Sequence, residues 1–528
     1  MKKKKRSRAK VYLRRLLKRM SLDDKRFWLV IAAGLVLIIA GVAIYIDKYA
    51  PTKETLSVAD YYQRVCDDEA IVFFSGKKME PEKNATYGNA VFHDDHAYLE
   101  LSFLKENLDD GYVYDESAGI LRYTTDSETI SVTKDEKSYT SGRNESKLDA
   151  PIVVEEYDTA YVLTDFVELF TDVNTQVISE APARVILESA GYEKTTAVSK
   201  KNTVMRQFGG PKSKIVSEVA KKETVSVVGS AGKWVWILND NGILGCVKSN
   251  ELKAKETTVV EPRLDERDYR HISLDQSICA GWHEVTVKAE NRNLESRLAK
   301  TKKLNVVIPT WFALADNSGA VSNLASMDYV ASCHEKDVQV WGAFSDSLHS
   351  DVSTTAVLNN TASRDNLVNN IVASAVAYGM DGVTIDFANV SEESKDGWSE
   401  FIRELSLKCE NNDLILAVHT GTVINEEAPK EDATAYNFGV LNDYADYVIT
   451  PDKNEELKPE RTVLSVSFYT RAWNEDTQDY SGDMETVDAE TQAKKLQNMQ
   501  DEKLAGAAFW RLGTESDGIW EVISLYIK

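Results

Sequence analysis

The sequence predicts an α/β protein in which a C-terminal (β/α)8 barrel follows a small all-β barrel, an α+β spacer domain and one N-terminal transmembrane helix. Over residues 269–528, strand-like apolar runs alternate with helical ones, and about 260 residues is the usual size of such a barrel. Residues 27–46 contain no charged side chain. With 528 residues in total, the chain has room for three or four folded domains.

Seven strands can be identified in the barrel region, and we expect an eighth between residues 312 and 337. The seven runs are LNVVIPTW (304–311), VQVWGAFS (338–345), GVTIDFA (382–388), LILAVHTG (414–421), YADYVIT (444–450), TVLSVSFY (462–469) and AGAAFWRLG (505–513). Between the second and third of these runs, RDNLVNNIVASAVAYGM repeats apolar residues at i, i+4, i+8 and i+11, which indicates a helix with a core-facing side. This alternation favours a parallel barrel over a sandwich.

The uncharged run at 27–46 predicts a membrane-spanning signal anchor. As a helix, twenty residues extend about 30 Å, which is the thickness of the hydrocarbon layer. The run ends in Tyr45, Asp47 and Lys48 and lacks a small-x-small cleavage site, so we expect it to be retained. Residues 1–26 hold thirteen Lys or Arg, which places this tail in the cytoplasm and the remainder outside the cell.

The tail and the ectodomain differ in charge, and this difference limits the partners. Outside the tail there are 49 basic and 82 acidic residues, so no nucleic-acid partner is predicted. Within the tail, Leu13, Leu16, Leu17 and Met20 recur at helical spacing, which suits either a helix on anionic lipid or a segment that only enforces topology. The five cysteines are widely spaced and show no C-x-x-C motif, so neither a disulfide framework nor a metal site is predicted.

Two regions before the barrel resemble known extracellular modules. The phrases HAYLELSFLKENL and TAYVLTDFVELF, within 57–190, resemble the copper-amine-oxidase N-terminal-like domain that is common in surface proteins of Gram-positive bacteria. This resemblance implies a spacer and a location on the surface of a Gram-positive bacterium. Because His93 and His96 have no third ligand nearby, we predict no metal there. Residues 202–253 end in WVWILNDNGILGCVKSNEL and resemble a bacterial Src-homology-3-like domain. The resemblance implies that such a domain can bind cell-wall peptides, but Trp234 and Trp236 share one face of a strand, and we expect them to fill the small core.

The barrel region resembles glycoside hydrolase family 18, in its bacterial cell-wall and spore-associated branch. The matching phrases, in order, are IPTWFAL, VQVWGAF, YGMDGVTIDFANV, VSFYTRAW and FWRLGTESDGIW. The resemblance implies action on N-acetylglucosamine polymers such as chitin or peptidoglycan, with a D-G-x-D-x-D-x-E motif on the fourth strand. In that family the glutamate is the general acid, and the neighbouring aspartate orients the acetamide of the substrate, which acts as the nucleophile.

In this sequence the motif begins at Asp381 and ends at Ala388 instead of glutamate. Alternation of period two predicts Thr384, Asp386 and Ala388 on the lumen side of the strand, while the residues between them pack outward. The resemblance assigns Asp386 to acetamide orientation and Ala388 to the position of the missing acid. A methyl group cannot donate a proton, and general acid catalysis contributes about 10² to 10⁴ in rate.

The other predicted site residues lie near the carboxyl ends of strands. The substrate-binding candidates are Trp311, Asp386, Tyr469, Arg471 and Trp510, with Trp473 nearby and Trp341 assigned to the core. The tyrosine that the family carries at the end of its sixth strand is absent, because Thr450, Pro451 and Asp452 stand there. No metal or other cofactor is predicted.

These observations predict a single-pass surface protein that recognises an N-acetylglucosamine-containing glycan and is catalytically impaired. Two alternatives remain open at this point. The first is an active hydrolase with another acid, for which Glu392, Glu393 and Asp452 are the nearest candidates in the sequence. The second is a non-enzymatic scaffold of the cell envelope.

Overall fold

The computed structural model describes residues 11, 25–349, 351–422, 424, 433–474 and 479–527. The predicted apolar pattern of residues 13–20 therefore lies outside the described residues. Contacts divide the chain into two compact units. The first comprises the described residues up to Ala97 together with Asp172–Arg263, and the second comprises Tyr98–Thr171 and the residues from Leu264 onward.

The described helices and strands have the following bounds. The helices are α1 (Lys25–Tyr49), α2 (Val58–Tyr61), α3 (Leu101–Asn107), α4 (Thr164–Phe170), α5 (Leu294–Leu298), α6 (Met327–His334), α7 (Thr354–Asn359), α8 (Thr361–Tyr378), α9 (Lys395–Glu410), α10 (Phe438–Tyr444), α11 (Ala489–Asp501) and α12 (Ile519–Tyr526). The strands of the first half are β1 (Ile71–Phe74), β2 (Lys77–Lys78), β3 (Ala90–His93), β4 (His96–Glu100), β5 (Tyr112–Asp115), β6 (Ile120–Thr124), β7 (Thr129–Thr133), β8 (Ser138–Ser141), β9 (Asn144–Lys147), β10 (Val153–Glu156), β11 (Thr159–Leu163), β12 (Val173–Ile178), β13 (Arg184–Ser189), β14 (Glu193–Ser199), β15 (Thr203–Arg206), β16 (Ile215–Val219), β17 (Thr224–Ala231), β18 (Trp234–Leu238), β19 (Leu244–Lys248) and β20 (Leu252–Val259). Those of the second half are β21 (Ile278–His283), β22 (Val306–Pro309), β23 (Phe312–Leu314), β24 (Val321–Asn323), β25 (Gln339–Ser345), β26 (Gly382–Asp386), β27 (Ile415–His419), β28 (Tyr447–Thr450), β29 (Thr462–Ser467), β30 (Tyr469–Asn474), β31 (Asp479–Thr486) and β32 (Gly506–Trp510).

Eight parallel strands form a closed barrel in the second unit, as the sequence predicts. Around the barrel the order is β22, β21, β32, β29, β28, β27, β26 and β25, and pairing of β22 with β25 closes it. Because all eight strands are parallel, their carboxyl ends meet at one rim, which is where such barrels carry their sites.

The position predicted for the eighth strand is wrong. The first barrel strand is β21, ahead of every run identified in the sequence, whereas the segment 312–323 forms the antiparallel hairpin β23–β24 at the rim. All six residues of β21 are buried, but its sequence ICAGWH mixes cysteine, glycine and histidine with apolar residues. This mixture hides the apolar run by which the other strands can be identified.

Two layers of apolar side chains stabilise the barrel. An inner cluster fills the lumen and includes Trp282 and Trp341, both fully buried, so the prediction that Trp341 is a core residue is confirmed. An outer cluster lies between the strands and the helices. The helices that cover the strands have clear termini: in α8, Asn360 accepts a hydrogen bond from the Ser363 amide, and Gly379 ends the helix at a φ of 69°.

Residues 98–171 pack against helices α8 and α9 of the barrel within the second unit. Their five-stranded antiparallel sheet runs β5-β6-β7-β8-β9. Thr124 on β6 donates to the buried carboxylate of Glu400, and Arg122 pairs with Asp365 at 2.8 Å. The contact units divide the chain inside the region 57–190 that the sequence assigns to one spacer domain, and those domain boundaries stay a prediction.

In the first unit, seven antiparallel strands form a sheet in the order β16-β15-β19-β18-β17-β14-β20. Its core holds Val235 and Ile237, whereas Trp234 and Trp236 are only half-buried. The expectation that the two tryptophans fill this core is therefore wrong. They do share one face of β18, as alternation requires, but the opposite face is the one that packs inward.

Among the described residues, one helix is long and apolar enough to cross a membrane. It covers Trp28–Tyr49 within α1, and its large side chains are exposed along its length. Length and composition support a membrane span here, and they are equally compatible with a signal sequence.

Candidate active site at the carboxyl rim of the barrel

Strand β26 presents the motif residues as period-two alternation predicts. Val383, Ile385 and Phe387 are buried in the layer under the helices, where the Phe387 ring stacks on Phe401 of α9 with centroids 5.7 Å apart. Asp386 ends the strand on the other side, with 25% of its side chain exposed. Its carboxylate is therefore available at the rim.

The Asp386 carboxylate is held by a histidine from the next strand. Its Oδ1 lies 2.6 Å from Nδ1 of His419, the last residue of β27. The other ring nitrogen, Nε2, lies 2.9 Å from Oγ1 of Thr422 and 3.3 Å from Oγ of Ser465 on β29. The two hydroxyl oxygens are themselves 2.5 Å apart. Three strands thus contribute to one polar network around a buried imidazole.

Ala388 lies two residues beyond β26 and is exposed. The backbone here is fixed by Asp346, a buried residue that directly follows β25. Its carboxylate accepts hydrogen bonds from the Ala388 amide at 2.8 Å, the Asn389 amide at 3.0 Å and the Thr354 hydroxyl at 2.8 Å. The position that carries the acid in the resembled family is therefore open to solvent and rigidly placed.

Aromatic side chains border the network. The Trp282 ring packs on His419 with centroids 4.8 Å apart and meets Trp510 edge-on at 5.8 Å. Trp510 is half-buried, and its indole nitrogen donates to the Tyr469 hydroxyl at 2.8 Å. Indole rings at a rim suit stacking on the apolar faces of sugar rings.

The structure places four of the five predicted substrate-binding residues in two groups. Asp386, Trp510 and Tyr469 lie together at the rim, although Tyr469 is largely buried behind Trp510. Arg471 lies on the hairpin β30–β31, where it donates to the Tyr480 carbonyl.

Trp311 is misassigned as a ligand contact. Only 1% of it is exposed, its ring packs on Tyr329, and its indole nitrogen donates to Asn291 at 2.8 Å. The chain turns into the β23–β24 hairpin at this point, and the tryptophan lies beneath it in the core.

Sequence reasoning missed four residues of the site. These are His419, Thr422, Ser465 and Asp346. One signal was available for His419, since a lone histidine that ends an otherwise apolar barrel strand stands at the functional rim. The partners of that histidine come from distant parts of the chain, and no local pattern links them.

A second rim histidine, His283 at the end of β21, predicts acid sensitivity. It is 1% exposed, and its Nδ1 lies 2.9 Å from the Tyr329 hydroxyl. Burial, with a smaller effect from Arg297, lowers the pKa of His283 to about 4. Because the folded pKa lies below the unfolded value, the stabilisation is complete above about pH 6.5 and is lost as the pH falls through 4.

We therefore expect the free energy of unfolding to fall by up to roughly 3 kcal/mol between pH 7 and pH 4 on account of this residue, at about 1.4 kcal/mol for each unit of pKa. Urea unfolding of the full chain and of His283→Gln, followed by tryptophan fluorescence at several pH values, measures this contribution. The two curves should converge towards pH 4. Parallel curves across this range would show that His283 is not responsible.

Eight-stranded parallel barrels of this kind are enzyme scaffolds that carry their sites at the carboxyl ends of the strands, and Asp386 lies at that end of the fourth strand, β26. The family model described as Glycosyl hydrolases family 18 matches residues 282–450, which run from the end of β21 to the end of β28. The C-terminal region of this chain therefore contains a glycosyl hydrolases family 18 domain.

One curated relative and two solved structures illustrate the similarity. A Bacillus subtilis (strain 168) protein described as a candidate sporulation-specific glycosylase, YdhD, is 32% identical over 92 residues, which is 17% of this chain and 21% of that protein. This chain thus spans about a fifth of the length of that relative. A chitinase from Chromobacterium violaceum ATCC 12472 is 16% identical with a TM-score of 0.38, covering 47% of this chain and 98% of that one. The spore cortex-lytic enzyme SleL of Bacillus megaterium QM B1551 is 15% identical with a TM-score of 0.38, covering 52% and 77%.

Proposed function

We propose that this protein is a membrane-anchored surface protein whose barrel binds an N-acetylglucosamine-containing glycan, such as peptidoglycan or a chitin-like polymer, without cleaving its glycosidic bonds. The observation that carries the proposal is the end of strand β26, where Asp386 is retained and held by His419 while the exposed position 388 carries a methyl group. Such a site keeps groups that bind an acetamide and lacks the proton donor that cleavage requires.

The retained groups support binding. Asp386 uses Oδ1 for His419, and among the described residues Oδ2 has no hydrogen-bond partner, so it is free to accept from the N–H of an acetamide. Trp510 is linked to this carboxylate by a chain of contacts: its ring meets Trp282, and the Trp282 ring packs on His419, the hydrogen-bond partner of Asp386. An acceptor for the acetamide and an indole ring that can pack on the sugar therefore belong to the same part of the rim.

The carboxylates that follow Ala388 support the loss of hydrolysis. Glu392 and Glu393 lie in a short 3-10 turn, Glu392–Ser394, and the Glu392 carboxylate is 73% exposed and pairs with Lys395 at 3.4 Å. General acid catalysis requires a carboxyl group within hydrogen-bond distance of the scissile oxygen. The Glu392 side chain, which is solvated and paired with a lysine, is not held for this task, and Glu393 beside it is also exposed.

Membrane anchoring is the second part of the proposal. The apolar helix Trp28–Tyr49 follows a tail rich in Lys and Arg, which by the positive-inside rule orients the barrel outside the cell. Because the residues beyond the helix are acidic overall, attraction to anionic wall polymers by charge is disfavoured. Retention on a glycan should therefore depend on the barrel rim and survive high salt.

Retention on insoluble peptidoglycan and chitin tests the binding function. We expect the detergent-solubilised full chain to be retained in high salt, and Trp510→Ala to lower retention at least about 5-fold, since loss of a central aromatic contact costs more than about 1 kcal/mol. The matched control is Phe208→Ala, an exposed aromatic residue in the other unit, which should be retained like the parent.

Two outcomes would contradict the proposal. Failure of the folded parent to bind either polymer would favour the envelope scaffold. Loss of retention in Phe208→Ala with normal retention of Trp510→Ala would assign binding to the other unit.

A further inference from the structure

We propose that Thr422, His419 and Asp386 form a hydroxyl–imidazole–carboxylate relay that hydrolyses an acyl ester at the barrel rim. The substrate class we infer is an O-acylated amino sugar within a glycan, and this choice of substrate rests on the proposed function. The ester chemistry itself does not, because it depends only on the three side chains.

The hydrogen bonds fix the tautomer of His419. An ionised Asp386 carboxylate only accepts hydrogen bonds, so Nδ1 of His419, 2.6 Å away, carries the proton. In the neutral imidazole, Nε2 is then an acceptor, and the hydroxyl of Thr422 at 2.9 Å is placed to donate to it. A hydroxyl next to a base that a carboxylate orients is the arrangement that activates a nucleophile.

Thr422 is the better nucleophile of the two hydroxyls near Nε2. Ser465 is 5% exposed and lies 3.3 Å from Nε2, whereas Thr422 is half-buried and closer to the ring nitrogen. The Ser465 hydroxyl is also within 2.5 Å of the Thr422 oxygen, so it can hold that oxygen in place. Only Thr422 combines access from solvent with contact to the base.

Packing around His419 supports a fixed base. The Trp282 ring lies 4.8 Å from the imidazole and is fully buried, and 6% of the histidine side chain is exposed. With both ring nitrogens bonded and one face covered, the imidazole has a single orientation. A general base held in this way needs no rearrangement before it takes a proton.

The reaction balances with water as the only co-reactant. The Thr422 oxygen attacks the ester carbonyl carbon while Nε2 of His419 takes the hydroxyl proton; the ester C–O bond then breaks, and the same proton goes to the leaving sugar oxygen. Water attacks the acyl-threonine, gives one proton to Nε2, and releases the carboxylic acid as that proton returns to Thr422. Asp386 acts as a positioning residue that stabilises the imidazolium.

Hydrolysis of p-nitrophenyl acetate by the full chain tests this relay without any glycan. We expect activity above a heat-denatured control, and a fall of at least about 100-fold in Thr422→Val, His419→Gln and Asp386→Asn. The matched control is Thr420→Val, since Thr420 is a buried threonine of the same segment whose hydroxyl donates to the Ile449 carbonyl. This variant should keep the parent activity.

Covalent labelling with a fluorophosphonate and peptide mass spectrometry provides a second measurement, which a merely structural role of His419 would not affect. Label on Thr422 that disappears in His419→Gln supports the relay. No hydrolysis and no label on a folded parent would overturn it, and label on Ser465 would overturn the choice of nucleophile. Ester hydrolysis without retention on peptidoglycan or chitin would support the relay and contradict the proposed glycan substrate. Retention without ester hydrolysis would support glycan binding and contradict the relay.

Discussion

Ala388→Glu should convert the barrel from a protein that binds the glycan into one that cleaves it. We expect release of products from N-acetylglucosamine oligomers at least about 100-fold above the parent, since a positioned general acid contributes 10² to 10⁴ in rate. The exposed position 388 has room for a longer side chain, and Asp346 fixes its backbone through two amide hydrogen bonds. Mass spectrometry of the oligomers measures the gain.

Two further variants identify the source of this gain. In Ala388→Gln the new side chain matches glutamate in size but has no acidic proton to donate, and we expect this variant to stay as inactive as the parent. Adding Asp386→Asn to Ala388→Glu should abolish the gain, because the acetamide would lose the carboxylate that orients it. If Ala388→Glu folds, binds the oligomer and still releases nothing, the changes at the end of strand β28, at Thr450, Pro451 and Asp452, have removed more of the site than one acid.

Glu404→Ala should destabilise the second unit by about 3–5 kcal/mol. Glu404 on α9 lies 3.0 Å from Nε of Arg364 on α8, and both side chains are at least 95% buried. Arg364 also donates to the Leu358 carbonyl, and Arg122 on β6 lies 3.7 Å from the Glu404 carboxylate. Removal of the carboxylate leaves buried guanidinium groups without their counter-charge, which costs far more than loss of a surface pair.

Urea unfolding of the full chain measures this effect. Glu490→Ala is the matched control, since it breaks the exposed Glu490–Lys494 pair, and it should change the free energy of unfolding by less than about 1 kcal/mol. Combining Glu404→Leu with Arg364→Met should recover most of the lost stability, because the cost comes from unpaired charge. Equal effects of Glu404→Ala and Glu490→Ala would contradict this explanation.

Burial raises the pKa of Glu404, although Arg364 opposes the shift. A carboxyl group with a raised folded pKa contributes stability that is present at low pH and is lost as the pH rises through the folded value. The loss expected for Glu404→Ala therefore changes with pH, and the comparison belongs at one fixed pH near 7.5.

Periodicity in the sequence predicted the barrel because most of its strands are continuous apolar runs separated by amphipathic helices. Strand β21 was not predicted, because cysteine, glycine and histidine interrupt its apolar character, although all of its residues are buried. Alternation along β26 was predicted correctly, since the side-chain direction in a strand follows from residue spacing alone.

Sequence patterns could predict only those site residues that lie together on one strand. The motif identified Asp386 and Ala388 from one segment, but the network around His419 joins β26, β27 and β29 and depends on how the strands lie around the barrel. Trp311 shows the opposite error. Its position after a strand suggested the rim, and only the packing of the β23–β24 hairpin shows that its ring is buried.

Binding of an N-acetylglucosamine glycan by the unaltered chain, with the glycosidic bonds left intact, can be measured directly. Calorimetric titration of the unaltered full chain with an N-acetylglucosamine oligomer, followed by mass spectrometry of the recovered sugar, tests both parts in one sample. We expect saturable binding and an oligomer of unchanged length. Shortened oligomers would show that another acid replaces the glutamate missing at position 388, and the barrel would then be a hydrolase. If a folded protein gave no binding heat, the proposed glycan-binding function would be wrong.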